Sequence, residues 1–257
     1  MSQKTEATFI PCTQGYYADK MTPMHIPNPA IFKGHRATGY DNFVLTYIPF
    51  YRGVMSCLPS LINQNIVGEE EPILVVGCGT GNELLELSQA YPTWKLEGID
   101  PSPEMVAQAR KKLNGHTNVR LINGYVNDLP TPPQYRAATM LLVLHFVPDD
   151  GAKLALLRDL AERMLPGAPL ILMDIFGSSV ELISSLSTLL AMMPPTSNPA
   201  KVTNRLKTLP DRIEYISEHR LTSLLLEAGF RLPQRFFQAA IYGGWITRRD
   251  FDQSVAP

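Results

Sequence analysis

The stretch Ile73-Leu74-Val75-Val76-Gly77-Cys78-Gly79-Thr80-Gly81-Asn82-Glu83 decides the fold. Its first four residues are apolar, largely β-branched and without polar alternation, which predicts a short strand buried on both faces, as in a parallel sheet. The glycines that follow let the backbone turn sharply and approach a ligand that a Cβ would push away. GNELLELSQAY then predicts a helix, whose first N–H groups are free to meet a carboxylate or phosphate. A tight strand-to-helix turn with no ligand would explain the glycines equally well, so this segment alone does not establish a site.

Downstream the chain alternates. WKLEGID reads as a strand, and PSPEMVAQARKKL as a helix with Ser102 and Glu104 near its start and basic residues near its end. NVRLING, RAATMLLVL and APLILMDIF read as three further strands, and DDGAKLALLRDLAERML as a helix closed by Pro-Gly. SEHRLTSLLLEAGF is a helix ending at Gly229, and RLPQRFFQAA and IYGGWITRR are strands too close for a helical crossover, hence an antiparallel hairpin. The expected fold is α/β: a Rossmann-like, seven-stranded, mainly parallel sheet whose last strand is antiparallel.

Upstream, residues 1–40 show no sustained period and read as an irregular arm. From Asp41 to about Ile62 apolar residues recur at helical spacing, and Pro49 should break or kink that stretch. Residues 177–210 interrupt the strand–helix rhythm and read as a helical insertion above the strand ends. The expectation is one domain over residues 1–257, with 1–65 as an N-terminal arm and roof and 177–210 as a lid.

Asp100 ends the second strand, where an acid can accept both hydroxyls of an adenosyl ribose. Its competing role is the N-cap of the following helix. The ligand's identity turns on Asn82. A dinucleotide-binding turn starting at Gly77 would want glycine there, and Glu83 follows instead. A loop offering backbone groups and a nearby carboxylate suits S-adenosylmethionine, an amino acid with a sulfonium, better than a pyrophosphate.

The charge balance, 23 Lys and Arg against 24 Asp and Glu, gives no polyanion-binding signal and disfavours a nucleic-acid partner. Three cysteines without CxxC spacing suggest neither a disulfide framework nor a metal site, and none is expected. No apolar run is long enough to cross a bilayer, and MSQKTEATFIPC lacks a signal-peptide core, so the expected compartment is the cytoplasm.

VVGCGTGNELLEL, EGIDPSPEMVAQARKKL, NGYVNDLP, LLVLHFVPDD and LLEAGF together resemble the class I S-adenosylmethionine-dependent methyltransferases, in order and spacing, from about Ile73 to Arg249. The resemblance implies S-adenosylmethionine as cofactor, methyl transfer to a small-molecule acceptor, and contacts from Gly77, Cys78, Gly79 and Gly81 to the methionine part. It implies ribose contacts from Asp100 and Pro101. Tyr125 and Val126 would pack beside adenine, with Tyr125 where the family often carries an acid, and Leu141, Leu142 and Tyr51 would complete the pocket. The chain is also similar to the carboxy-S-adenosylmethionine synthases of tRNA modification through Tyr47-Ile48-Pro49-Phe50-Tyr51 and the C-terminal hairpin. Those enzymes generally carry Ser at the position of Gly79 and Asn at that of Leu141, and Arg205 lies only near the place of their carboxylate-holding arginine. A non-catalytic S-adenosylmethionine-binding module is the third reading.

For catalysis the candidates are His145, at the rim after the fourth strand, as a base or an acceptor-orienting group, and Tyr51 from the roof. A packed rim histidine is the competing description of His145. Tyr40, Tyr47, Phe50 and Tyr51 could roof the site with their ring faces toward a sulfonium, or simply be core. Cys78 reads as a small filler of the turn, and Arg110-Lys111-Lys112 as a solvated helix end. The acceptor is undecided, and so is the oligomeric state, a homodimer included.

Overall fold

The computed structural model describes residues 34–132, 134–193 and 213–251. Seven strands form one sheet: β1 (Ile73–Val76), β2 (Leu96–Asp100), β3 (Val119–Asn123), β4 (Ala137–Leu141), β5 (Pro169–Ile175), β6 (Gln234–Ala239) and β7 (Tyr242–Arg248). Their order is β3-β2-β1-β4-β5-β7-β6. Pairings among β1 to β5 are parallel, and β7 runs antiparallel to both β5 and β6. The expected sheet, with its antiparallel last strand, is borne out.

Period-2 patterning divides the core. Ile73 and Val75 of β1 face one apolar cluster, while Leu74 and Val76 face the other. β5 does the same, with Ile171, Met173 and Ile175 on the first side and Leu170 and Leu172 on the second. Helices α4 (Asn82–Ala90) and α5 (Pro103–Lys112) contribute to the first layer. α6 (Ala152–Arg163) and α9 (Glu218–Glu227) contribute to the second. The strand order reverses between β1 and β4, which makes the C-terminal ends of these two strands the natural crevice for a ligand.

The N-terminal arm becomes helical earlier than its sequence suggests. Short α1 (His35–Thr38) and α2 (Tyr40–Tyr47) precede α3 (Tyr51–Asn65), so residues 35–40 are not irregular; the arm before residue 34 lies outside the described residues. Pro49 separates α2 from α3 as expected. Ile48 before it is extended, the conformation a residue preceding proline favours, and Phe50 after it takes a left-handed φ of 60°. The insertion forms α7 (Ser179–Ser184) and α8 (Leu186–Ala191), and its part from residue 194 to 210, Arg205 included, lies outside the described residues. Leu182 and Leu189 share one apolar cluster with Val44, Ile48 and Tyr51 of the arm.

Candidate functional site

The glycine turn leaves β1 with Gly77, Gly79 and Gly81 all at positive φ, a conformation only glycine adopts without strain. A Cβ on Gly77 would lie 2.5 Å from Val143 Cγ2. On Gly79 it would meet nothing closer than Tyr40 Cε1 at 3.8 Å. Gly79 therefore borders open space, whereas Gly77 is packed against its neighbour.

Two cavities meet at Gly77. The first lies over the turn and is lined by Tyr40, Tyr51, residues 77–80, Asn82, Glu83, Leu141 and Leu142. The second is mostly apolar and runs between Val76, Ile99, Pro101, Tyr125, Val126 and Val143. Of the candidate site residues, all but Gly81, Asp100 and His145 line one cavity or the other. Gly81 is the N-cap of α4, and a Cβ there would press on Ala109 and Leu113, so its glycine serves helix packing.

Asp100 is buried, and both its oxygens accept backbone N–H groups: Oδ2 from Gly79 at 2.9 Å and Oδ1 from Ser102 at 2.8 Å. Capping of α5 falls to Ser102, whose hydroxyl accepts from Met105 N. The N-cap role is therefore not that of Asp100, which ties the glycine turn to the end of β2. A carboxylate has about four lone-pair directions, so this tether leaves acceptor capacity for ribose hydroxyls. Burial pushes its pKa up, and the two N–H donors work against that rise.

The aromatic roof divides in two. Tyr40 and Tyr51 line the first cavity, while Phe50 is 65% exposed and Tyr47 packs on Phe43 at 5.0 Å. Burial raises the pKa of both lining tyrosines, which keeps them neutral. Asn82 Nδ2 donates to Tyr51 Oη at 3.3 Å and to Asp41 Oδ1 at 3.0 Å. Thr80 Oγ1 donates to the same Asp41 oxygen at 2.5 Å, and Lys112 Nζ donates to Asp41 Oδ2 at 2.7 Å. Lys112 also contacts Thr80 and Asn82, so it is not the solvated helix end its charge run suggests. Asp41 thereby clasps the arm onto the glycine turn. Despite partial burial its pKa is lowered, because these donors favour the carboxylate.

His145 lies in a 3-10 turn (Leu144–Phe146) directly after the lining segment 141–143. It is buried and lines neither described cavity. Its Nδ1 is 2.5 Å from Asp174 Oδ1, and Asp174 is 2% exposed on β5. An ionised carboxylate only accepts, so Nδ1–H donates and a neutral ring keeps the lone pair on Nε2. Asp174 is a functional candidate that sequence reading missed: inside APLILMDIF it looks like a strand residue, and its partner is 29 positions away. Leu142 sits beside this turn at φ 61°, a backbone strain that marks functional loops. Cys78 is buried, and desolvation raises its thiol pKa, in keeping with a filler of the turn. Among the described residues no cluster of His, Cys, Asp or Glu could hold a metal ion.

Gly79→Val is expected to abolish binding of an adenosyl ligand by filling the first cavity. Calorimetry with S-adenosylhomocysteine measures it, and a folded variant with unchanged affinity would reduce the loop to a plain turn.

Residues 73–167 match the model of a family described as methyltransferase domain. The carboxy-S-adenosyl-L-methionine synthase of Methylococcus capsulatus is 31% identical over 116 residues, 43% of this chain and 48% of that protein. The malonyl-[acyl-carrier protein] O-methyltransferase of Priestia megaterium is 32% identical over 99 residues, 37% of this chain and 36% of that protein. The chain thus spans less than half the length of either curated relative. Human N-acetylserotonin methyltransferase, solved with SAM, superposes with a TM-score of 0.59 at 18% identity, over 90% of this chain and 61% of that one; this likeness speaks for the fold. The matched residues 73–167, a methyltransferase domain by that description, take in the central strands, the glycine turn and Asp100.

Proposed function

We propose that the protein is an S-adenosylmethionine-dependent methyltransferase acting on a small-molecule acceptor. The observation that carries this reading is the pair of cavities meeting at Gly77, one polar and bounded by Glu83, the other apolar and bounded by Tyr125 and Val126. The chemistry of their linings suits an amino acid at one end and an adenine at the other. In this reading Gly77, Gly79 and the start of α4 take the methionine carboxylate, and Asp100 takes the ribose. Pro101, Tyr125 and Val126 hold adenine, while Cys78, Leu141, Leu142 and Tyr51 close the methionine end. The bound cofactor supplies an electrophilic methyl group on its sulfonium. The chain's own task is to exclude water, align the acceptor and receive its proton. The names of two relatives, a demethylmenaquinone methyltransferase and a trans-aconitate 2-methyltransferase, support a small-molecule substrate class.

His145 is our candidate for that proton, oriented by Asp174. His145→Gln and Asp174→Asn are each expected to lower kcat about 100-fold or more, the usual contribution of a positioned base. Binding of S-adenosylhomocysteine should stay unchanged. A kcat within a factor of about three of wild type would leave His145 as a packing residue.

The likeness to carboxy-S-adenosyl-L-methionine synthases favours a second reading, production of a carboxylated cofactor. Mass spectrometry of the ligand co-purifying with the protein separates the two. S-adenosylmethionine or S-adenosylhomocysteine supports methyl transfer, and the carboxylated sulfonium supports the alternative.

A further inference from the structure

Glu83 is the second residue of α4, and the tertiary structure turns its side chain inward to line the cavity over the glycine turn. It is 6% exposed. Thr139 Oγ1, from β4, donates to its Oε1 at 2.8 Å. Among the described residues no other side chain bonds this carboxyl, and no basic group contacts it. Its second oxygen is therefore left for whatever occupies the cavity. A buried ionised carboxylate with one neutral donor is costly, so desolvation holds Glu83 as the neutral acid, with its pKa raised to about 8.

The surrounding groups leave the balance uncompensated. Tyr40 on α2, Tyr51 on α3 and Cys78 in the turn also have raised pKa values and stay neutral. Asp41 on α2 is held as a carboxylate by its donors, while burial raises the pKa of Asp100 on β2 against its two N–H donors. The nearest cation of the network, Lys112 on α5, is already engaged by Asp41, Thr80 and Asn82. Among the described residues, the side chains lining the cavity thus offer acceptors to a cationic group, and none of them is a cation.

We propose that Glu83 is the seat of the cofactor's α-ammonium group, and that the carboxyl gives up its proton to solvent as the ammonium arrives. This rests on the cofactor reading above and adds to it a residue and a linkage. The O–H bond of Glu83 breaks, the proton passes to buffer, and an ammonium–carboxylate pair bonded to Thr139 remains. Below pH of about 8 the free protein holds that proton, so affinity should tighten about tenfold per pH unit as the pH rises toward 8. Above it the free protein has already given up the proton, and the gain ends.

Calorimetry near pH 7, in two buffers of different ionisation enthalpy, counts the protons released. S-adenosylhomocysteine should release about one proton, and methylthioadenosine, which keeps the ribose and adenine but lacks the amino acid, none. Glu83→Gln keeps an acceptor for Thr139. It should bind methylthioadenosine normally, release no proton with S-adenosylhomocysteine, and lose the pH dependence with at least a tenfold fall in affinity. Absence of proton release from the wild-type protein, or full affinity in Glu83→Gln, overturns the proposal. So does proton release with S-adenosylmethionine but not with S-adenosylhomocysteine, which would assign the carboxylate to the sulfonium. If neither S-adenosylhomocysteine nor methylthioadenosine binds wild type, the cofactor reading itself fails.

Discussion

Asp100→Ala is expected to weaken S-adenosylhomocysteine binding about 100-fold, from loss of a charged acceptor worth roughly 2–3 kcal/mol. The carboxylate does two things at once. It offers lone pairs at the end of β2, and it holds Gly79 N–H at 2.9 Å and Ser102 N–H at 2.8 Å. Removing it leaves both N–H groups without their acceptor and frees the glycine turn, so the binding loss includes loss of preorganisation. Asp100→Asn separates the contributions, because the amide oxygen can keep one tether while the charge is lost; its affinity should fall between the two. Titration calorimetry is the measurement. Unchanged affinity in Asp100→Ala would remove this residue from the site.

Lys153→Met is expected to destabilise the folded protein by about 3 kcal/mol or more. Lys153 is fully buried on α6 and donates to the carbonyls of Leu144 at 2.8 Å, Glu214 at 2.6 Å and Val147. These acceptors come from both ends of the His145 turn and from the segment entering α9. Glu214 N in turn donates to His145 O at 2.8 Å. Methionine matches the volume of the lysine stem, so the loss isolates the carbonyls of Val147 and Glu214, left without this donor, from any packing defect, while Leu144 O keeps the N–H of Val147. The pKa of Lys153 is lowered by burial, with nearby carboxylates opposing that shift. Denaturant unfolding of the variant tests this. A midpoint within error of wild type would show that water or backbone movement satisfies the carbonyls, and the turn would not depend on Lys153.

The central strands, the glycine turn and the terminal hairpin were legible because their signals are local. Ile73–Val76 is apolar without alternation, Ser102 precedes its helix at cap spacing, and too few residues separate β6 from β7 for a crossover. The placing of Gly77, Gly79 and Asp100 side by side was legible for the same reason, since they fall at the ends of adjacent strands. What escaped were polar partnerships across long separations. Lys153 sits in GAKLALL like any solvated helix lysine, yet Glu214 lies 61 residues on. Lys112 reaches Asp41 across 71 residues, and Glu83 reaches Thr139 across 56. Periodicity says which way a residue faces, but not which distant donor meets it. The roof shows the same limit: helical spacing groups Tyr51 with Phe50, yet the left-handed turn after Pro49 sends one to the cavity and the other to the surface.

The central claim is that the cavities beside Gly77 hold S-adenosylmethionine rather than a dinucleotide. A thermal-shift comparison of the intact protein with S-adenosylhomocysteine and with NAD tests it most directly. The account predicts a concentration-dependent rise in Tm with S-adenosylhomocysteine and none with NAD, because Asn82 occupies the position a pyrophosphate-binding turn gives to glycine. Stabilisation by NAD without stabilisation by S-adenosylhomocysteine would contradict it.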